Sequence, residues 1–254
     1  MLSPRRTLPT LVAVLIALVL AAAPAHAVRN GQPDGENHPY VGLITNNEFV
    51  CSGAAISPTV VITAAHCFGF SGEQVFVSFS SEGFFAEDPG FVTGTWYPDP
   101  AFCIACGNGL PGFDTHDIAV VLLDAPVSLA RYAALAPEGY VDTIGGKSRV
   151  DLVGYGLQVR EKDYTGTEAF TRYYAPADLS PSKGRLVDEF LKVSANPGQG
   201  QGGTCFGDSG GPILIGDTII GVNSFVTNGN CAGVTYAYRT DSAQAMAFIA
   251  SILG

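Results

Sequence analysis

The sequence carries few charges and no cluster of basic ones. Asp, Glu, Lys and Arg make up 14% of it, with 13 Lys and Arg against 23 acidic residues. A nucleic acid or an anionic membrane surface needs a positive stripe to meet its phosphates, so neither is an expected partner. Internal repeats and low-complexity tracts are also missing, which excludes a solenoid and a disordered spacer. Beyond residue 27 there is no long apolar periodicity of 3.6, so a helical bundle is excluded. Nor is there a second run long and apolar enough to span a bilayer, which needs about 20 residues.

What is present begins with Arg5 and Arg6, an apolar stretch from Leu11 to Ala23, and "PAHA" ending at Ala27. A basic start, a short apolar core and small residues at 25 and 27 predict a signal peptide over 1–27, a retained anchor being the alternative. Export to an extracellular location follows. Leaving out Arg5 and Arg6 leaves 11 basic against 23 acidic residues, a net charge of −12 over residues 28–254. That length suffices for one large all-β unit or two small lobes with a real core. Runs such as "VVIT" (60–63), "QVFVSF" (74–79), "IAVVLL" (118–123), "VDLVGYG" (150–156), "PILIG" (212–216) and "TIIGVNSF" (218–225) are β-branched and bounded by turn formers. Many short strands of this kind predict a sandwich or barrel. Only "DSAQAMAFIASIL" (241–253) reads as helix, with Asp241 or Ser242 as its N-cap. "EGYVDTIGGKS" (138–148) is the expected connection between two halves.

Six cysteines, Cys51, Cys67, Cys103, Cys106, Cys205 and Cys231, form an even set in an exported chain. They predict three disulfides, although six cysteines allow 15 pairings. A zinc site is the alternative for Cys103 and Cys106, and a redox-active C-x-x-C is another, but no thioredoxin-like βαβ context surrounds them. Glu82, Glu87 and Asp88 could supply hard-cation ligands or form a solvated acidic loop; the loop is the expectation, and no metal or cofactor is predicted. His38, in "ENHPY", reads as a surface turn, and His116 as a loop residue.

The chemistry concentrates in "GTCFGDSGGPILIG" (203–216). Glycines packed around Ser209 indicate a backbone that turns sharply or approaches something closely. "VVITAAHC" places His66 after a strand-like run, and "THDIAVVLLDAPV" places Asp117 at the start of another. A serine hydroxyl is a poor nucleophile until a base takes its proton, and histidine suits that task near neutral pH. With the order His, Asp, Ser and the motifs T-A-A-H-C and G-D-S-G-G-P, residues 28–254 resemble a chymotrypsin-like (trypsin-family) serine endopeptidase of bacterial type.

That resemblance implies two packed six-stranded Greek-key barrels, about 28–140 and 141–240, with a C-terminal helix over 241–253. His66 and Asp117 would come from the first barrel and Ser209 from the second, and the amides of Gly207 and Ser209 would form the oxyanion hole. Asp208 would receive the α-amino group of Val28 once the signal peptide is removed, Arg29 and Asn30 departing from the family's usual start. Ser224 would support Asp117. The family pairs Cys51 with Cys67 and Cys205 with Cys231; Cys103–Cys106 has no counterpart there and would close a tiny loop. The primary pocket would have Gly203 at its base and Val226 and Gly233 as walls, with Phe225 alongside. A glycine at 203 does not support cleavage after basic residues; small or medium apolar side chains are expected, aromatic ones being the runner-up. The substrate would be a protein or peptide and the enzyme a monomer. Two rivals remain: a non-catalytic module that kept the barrels, and an esterase. G-D-S-G-G also fits G-x-S-x-G, but the order Ser, acid, His of an α/β-hydrolase is absent.

Overall fold

The computed structural model describes residues 28–82, 90–104, 106, 115–157, 171–180, 189–194, 196–227, 231 and 233–254. The expected signal peptide, with Glu87 and Asp88, lies outside them. Strands β1 (Gln32–Pro33), β2 (Val41–Thr45), β3 (Val50–Ser57), β4 (Val60–Thr63), β5 (Glu73–Ser78), β6 (Val92–Pro98) and β7 (Ala119–Leu123) come first. They are followed by β8 (Ala134–Leu135), helix α1 (Tyr140–Thr143), β9 (Arg149–Gly154), β10 (Tyr173–Leu179) and β11 (Phe190–Ser194). The chain then runs through β12 (Pro212–Ile215), β13 (Thr218–Val226), β14 (Val234–Arg239) and helix α2 (Ala243–Leu253).

Strands β2-β3-β4-β7-β6-β5 close into one antiparallel barrel. Strands β9, β10, β11, β14, β13 and β12 form the second, closed by the pairing of β9 with β10. Closure removes the open edges that six short strands would otherwise expose. β1 and β8 flank the first barrel in sequence but pair with β10 and β13 of the second. The chain therefore enters and leaves the first barrel along the wall of the other.

Val61, Val75, Val77, Trp96 and Val121 fill the first barrel, and Leu152, Ala175, Val193, Ile213 and Ala237 the second. A third cluster joins Ile62, Ile118 and Val120 to Val222, Tyr238, Phe248 and Ile249, so α2 seals the seam between the barrels. Its cap is Ser242, whose hydroxyl accepts from the Ala245 amide at 3.2 Å, one of the two expected caps. His38 is not a surface residue as its turn-like context suggests. It is 9% exposed, and its Nδ1 lies 2.5 Å from Asp34 Oδ1. Asp34 in turn holds Arg172, which is fully buried, at 2.7 Å. Burial alone would raise the Asp34 carboxyl, but His38 and Arg172 hold it below its ordinary value.

Candidate active site

β4 ends at Thr63, whose hydroxyl donates to the Ser52 carbonyl at 2.8 Å, and the chain then makes a single 3₁₀ turn over Ala65–Cys67. No side chain at Ala64 caps that turn. The His66 amide donates instead to Asp117 Oδ1 at 3.0 Å, while His66 Nδ1 meets Asp117 Oδ2 at 2.8 Å. One carboxylate therefore fixes both the backbone and the ring of His66. The Cys51–Cys67 disulfide, Cα atoms 6.2 Å apart, ties the next residue to β3.

Asp117 stands just before β7 and is fully buried. It follows His116, which has φ of 56° and whose carbonyl accepts from Ile118 N at 2.8 Å. The His116 ring lies 3.2 Å from Asp99, so it serves the turn that aims Asp117. Ser224 Oγ donates to Asp117 Oδ2 from β13 of the other barrel. Burial would push the Asp117 carboxyl up, but the charge of His66 and the hydrogen bonds from His66 and Ser224 outweigh it and hold the group below its ordinary value.

Ser209 sits in a loop pinned on both sides. Its carbonyl accepts from Ser52 N at 2.8 Å, Gly210 N donates to Asn223 O at 2.8 Å, and Gly211 N donates to Asp208 O at 2.9 Å. Gly210 has φ of 74°, and a Cβ there would meet Thr63 Oγ1 and stand 2.6 Å from the Ser52 carbonyl. Only glycine lets the Ser209 loop lie this close to the first barrel. Gly207, with φ of 97°, accepts from Ser52 Oγ at 2.9 Å through its carbonyl. Among the described residues the amides of Gly207 and Ser209 donate to no protein acceptor, and the Ser209 hydroxyl makes no hydrogen bond. The Cys205–Cys231 disulfide, Cα atoms 5.0 Å apart, ties this loop to the segment before β14; Cys103 and Cys106 are also joined.

His66 and Ser209 line one open cavity of about 470 Å³ with Ser224, Phe225 and Val226. Gly203 and Gly233, expected as base and second wall, are not among its lining residues. Gly203 is bridged to Arg29, and Gly233 has φ of 100°. The lining also includes Thr204, Phe206 and Asn223, which the motifs did not single out. Phe206 is an exposed phenyl between Cys205 and Gly207, inside the quoted loop. Asn223 is the one carboxamide side chain in β13 and interrupts the apolar run that precedes Ser224, and that interruption was the available signal.

Asp208 is fully buried. Its carboxylate accepts from Gly156 N and Cys205 N, each at 2.8 Å, and burial pushes it up to about 7 despite both bonds. Val28 is also fully buried, among the side chains of the second barrel, and the adjacent Arg29 carbonyl accepts from Gly203 N at 3.0 Å.

A family model described as Trypsin matches residues 28–249. Similar curated proteins include alpha-fibrinogenase albofibrase of Trimeresurus albolabris, 28% identical over 75% of this chain and 72% of that protein. Brachyurin of Leptuca pugilator is 28% identical over 74% and 81%, and a trypsin of Saccharopolyspora erythraea 28% over 75% and 82%. Relatives thus come from snake, crab and further sources, and do not single out the expected bacterial one. Among solved structures, HL collagenase has a TM-score of 0.67 at 19% identity, covering 89% of this chain and 98% of that one. Human heparin binding protein has a TM-score of 0.66 at 19% identity, covering 89% and 96%.

Proposed function

The chain belongs to the trypsin family, and from that premise we propose that it is a secreted serine endopeptidase acting through Ser209, His66 and Asp117. The observation that carries this reading is Asp117 Oδ2, shared between His66 Nδ1 and Ser224 Oγ at the wall of the cavity that also holds Ser209. Such a carboxylate holds the imidazole in one tautomer and stabilises it once it is charged. Ser209 Oγ attacks the scissile carbonyl, and its proton passes to His66 Nε2. A rotation of the free hydroxyl closes that contact, as catalytic hydrogen bonds commonly tighten only with substrate bound. The oxyanion takes hydrogen bonds from the open amides of Gly207 and Ser209, each worth about 10²–10³ in turnover. The C–N bond breaks as His66 returns the proton to the leaving amine. Water, deprotonated by His66, then hydrolyses the ester on Ser209.

Activation follows from removal of residues 1–27. The freed Val28 amine would then pair with Asp208, a buried carboxyl with no cation beside it among the described residues. The bridge from Arg29 to Gly203 already holds this segment against the nucleophile loop, which supports the short path. Disulfides at three cysteine pairs suit an oxidising compartment. The primary pocket is neutral and takes small or medium apolar side chains. The enzyme acts as a monomer on protein or peptide substrates.

The fold alone does not separate an enzyme from a binding module, since one structural neighbour is named for heparin binding. A net charge of −12 over residues 28–254 opposes a polyanion as partner here. Labelling with a serine-directed fluorophosphonate, mapped by peptide mass, tests the reading. Label on Ser209, lost in Ser209→Ala and in denatured protein, is the expected result. A folded, correctly processed chain that takes no label would be a binding module instead.

A further inference from the structure

Ser52 lies in β3 and is fully buried in a strand of small and apolar residues. A serine hydroxyl in such a place commonly turns to a carbonyl of its own segment. That of Ser52 does not. Its Oγ donates to Gly207 O at 2.9 Å, 155 residues away, and accepts from Tyr155 N at 3.0 Å, 103 residues away. The amide can only donate and the carbonyl can only accept, so the single hydroxyl proton is committed to Gly207. The Ser52 amide donates to Ser209 O at 2.8 Å, and the Ser52 carbonyl accepts from Thr63 Oγ1 at 2.8 Å. One residue of the first barrel thus holds the carbonyls of Gly207 and Ser209. These are the two residues whose own amides donate to no protein acceptor among the described residues.

A peptide group is planar, so fixing one of its ends orients the other. The group that carries the Gly207 N–H has Phe206 O at its other end, which accepts from Leu157 N at 2.7 Å. The next group has Gly207 O at one end, held by Ser52, and Asp208 N at the other, which donates to Cys205 O at 3.0 Å. Between the two planes stands Gly207, with φ of 97° and no side chain to resist rotation. Among the described residues no other donor reaches Gly207 O. Ser52 is itself fixed, by the Cys51–Cys67 disulfide on one side and by Thr63 on its carbonyl, so the hold comes from a rigid wall.

Building on the endopeptidase reading, we infer that Ser52 is a positioning residue for the oxyanion hole. Its hydroxyl reaches from the opposite barrel and holds Gly207 so that the N–H of that residue stays aimed at the developing oxyanion. Ser52 touches no substrate and acts through Gly207. Donors stabilise an oxyanion strongly only when they already point to where the charge develops. Loss of the hydroxyl therefore acts on the step in which the carbonyl oxygen becomes charged. Binding of the uncharged substrate is left in place, because Ser52 does not line the cavity.

The test compares the natural chain with Ser52→Ala, each purified after expression of the full chain. Sites are counted by fluorophosphonate titration run to completion, so only competent molecules enter the rates. A quenched peptide gives kcat and KM, and the trifluoromethyl ketone of the same peptide probes the hole. Ser209 Oγ adds to the ketone carbon, its proton goes to His66, and the ketone oxygen becomes an oxyanion. In Ser52→Ala, kcat per site should fall about tenfold or more and the ketone should bind more weakly by a similar factor. KM should stay within about twofold. A residue that only packs the barrels would lower the number of titrated sites without moving kcat per site and ketone affinity together. Either of those two quantities unchanged in Ser52→Ala overturns the inference. Should that variant yield no folded protein, Ser52→Cys carries the same comparison, since its thiol has the same shape and donates weakly. If the natural chain cleaves the peptide and the variant matches it, the endopeptidase reading stands without this inference. A natural chain that takes no label and cleaves no peptide would overturn both.

Discussion

Asp117 and Asp208 are both fully buried carboxyls a short way from Ser209, yet their environments drive them in opposite directions. Asp117 has His66 and a hydroxyl donor; Asp208 has two amides and no charge. Removing the Ser224 hydroxyl by Ser224→Ala takes one charge-assisted hydrogen bond from Asp117. A bond of this kind contributes about 1.5–3 kcal/mol, so kcat/KM should fall roughly tenfold or more, with the Asp117 carboxyl shifted upward. A pH–rate profile of the variant checks both. Asp208 gives a prediction about the unprocessed chain. Its folded carboxyl, at about 7, is raised above the ordinary 3.8, so the folded state holds a proton that the unfolded chain releases. Stability from this group is therefore present below about pH 4, declines as the pH rises toward 7, and is flat above that. Denaturant midpoints should show that loss in protein retaining Ala27. They should not show it in Asp208→Asn, or in protein that begins at Val28 and pairs the carboxylate with its amine.

Single elements differ in how much of them was visible beforehand. β4, β7 and β12 match the β-branched runs closely because they are buried nearly throughout, and β5, β9 and β13 were marked by apolar stretches beside polar or half-buried positions. β3 was missed: "VCSGAAIS" is made of small residues with weak strand preference, needed where its neighbours in the barrel crowd it. β10 was missed because "YYAPADL" alternates buried and half-buried positions and contains Pro176. Residues 138–148, expected to be only a connection, contain α1, whose Val141 amide is held by Asp241 from just before α2 at 2.8 Å. For α2 the cap was legible, and Ser242→Ala should cost about 1 kcal/mol, read as a lowered denaturant midpoint without change in kcat. Losing Cys51–Cys67, which closes a separation of 16 residues, should cost about 3 kcal/mol in the chain-entropy view. Cys51→Ala/Cys67→Ala should also loosen His66, which a fall in kcat at unchanged folded fraction would show.

Across the whole molecule the two barrels are joined by a polar knot as well as by α2. Arg172 enters from the second barrel, pairs with Asp34, and donates to the carbonyls of Gly35, Val41 and Phe79 and to Tyr155 Oη. Tyr155 precedes Gly156, whose amide holds Asp208, so the knot also braces the floor of the Ser209 loop. Truncating one partner of a buried ion pair typically costs about 3–5 kcal/mol because the other charge is stranded. Arg172→Leu should therefore lower Tm by roughly 10 °C for a chain of this size. Arg172→Leu combined with Asp34→Asn should cost less than the sum of the two single changes, the sign of direct coupling.

Much of this protein was written in local sequence. Residues that act through their own type and immediate neighbours, such as Ser209 among its glycines, His66 after its strand and Ser242 ahead of its helix, are legible because short-range sterics and spacing set them. The meeting of Asp34, His38 and Arg172 and the place of Asn223 in the wall of the cavity were decided only by tertiary structure, whereas the approach of Ser224 to Asp117 was already implied by the family resemblance. Arg172 and Asp34 stand 138 residues apart and are brought together only by the packing of the barrels. Composition does not encode such distances; barrel closure and register do.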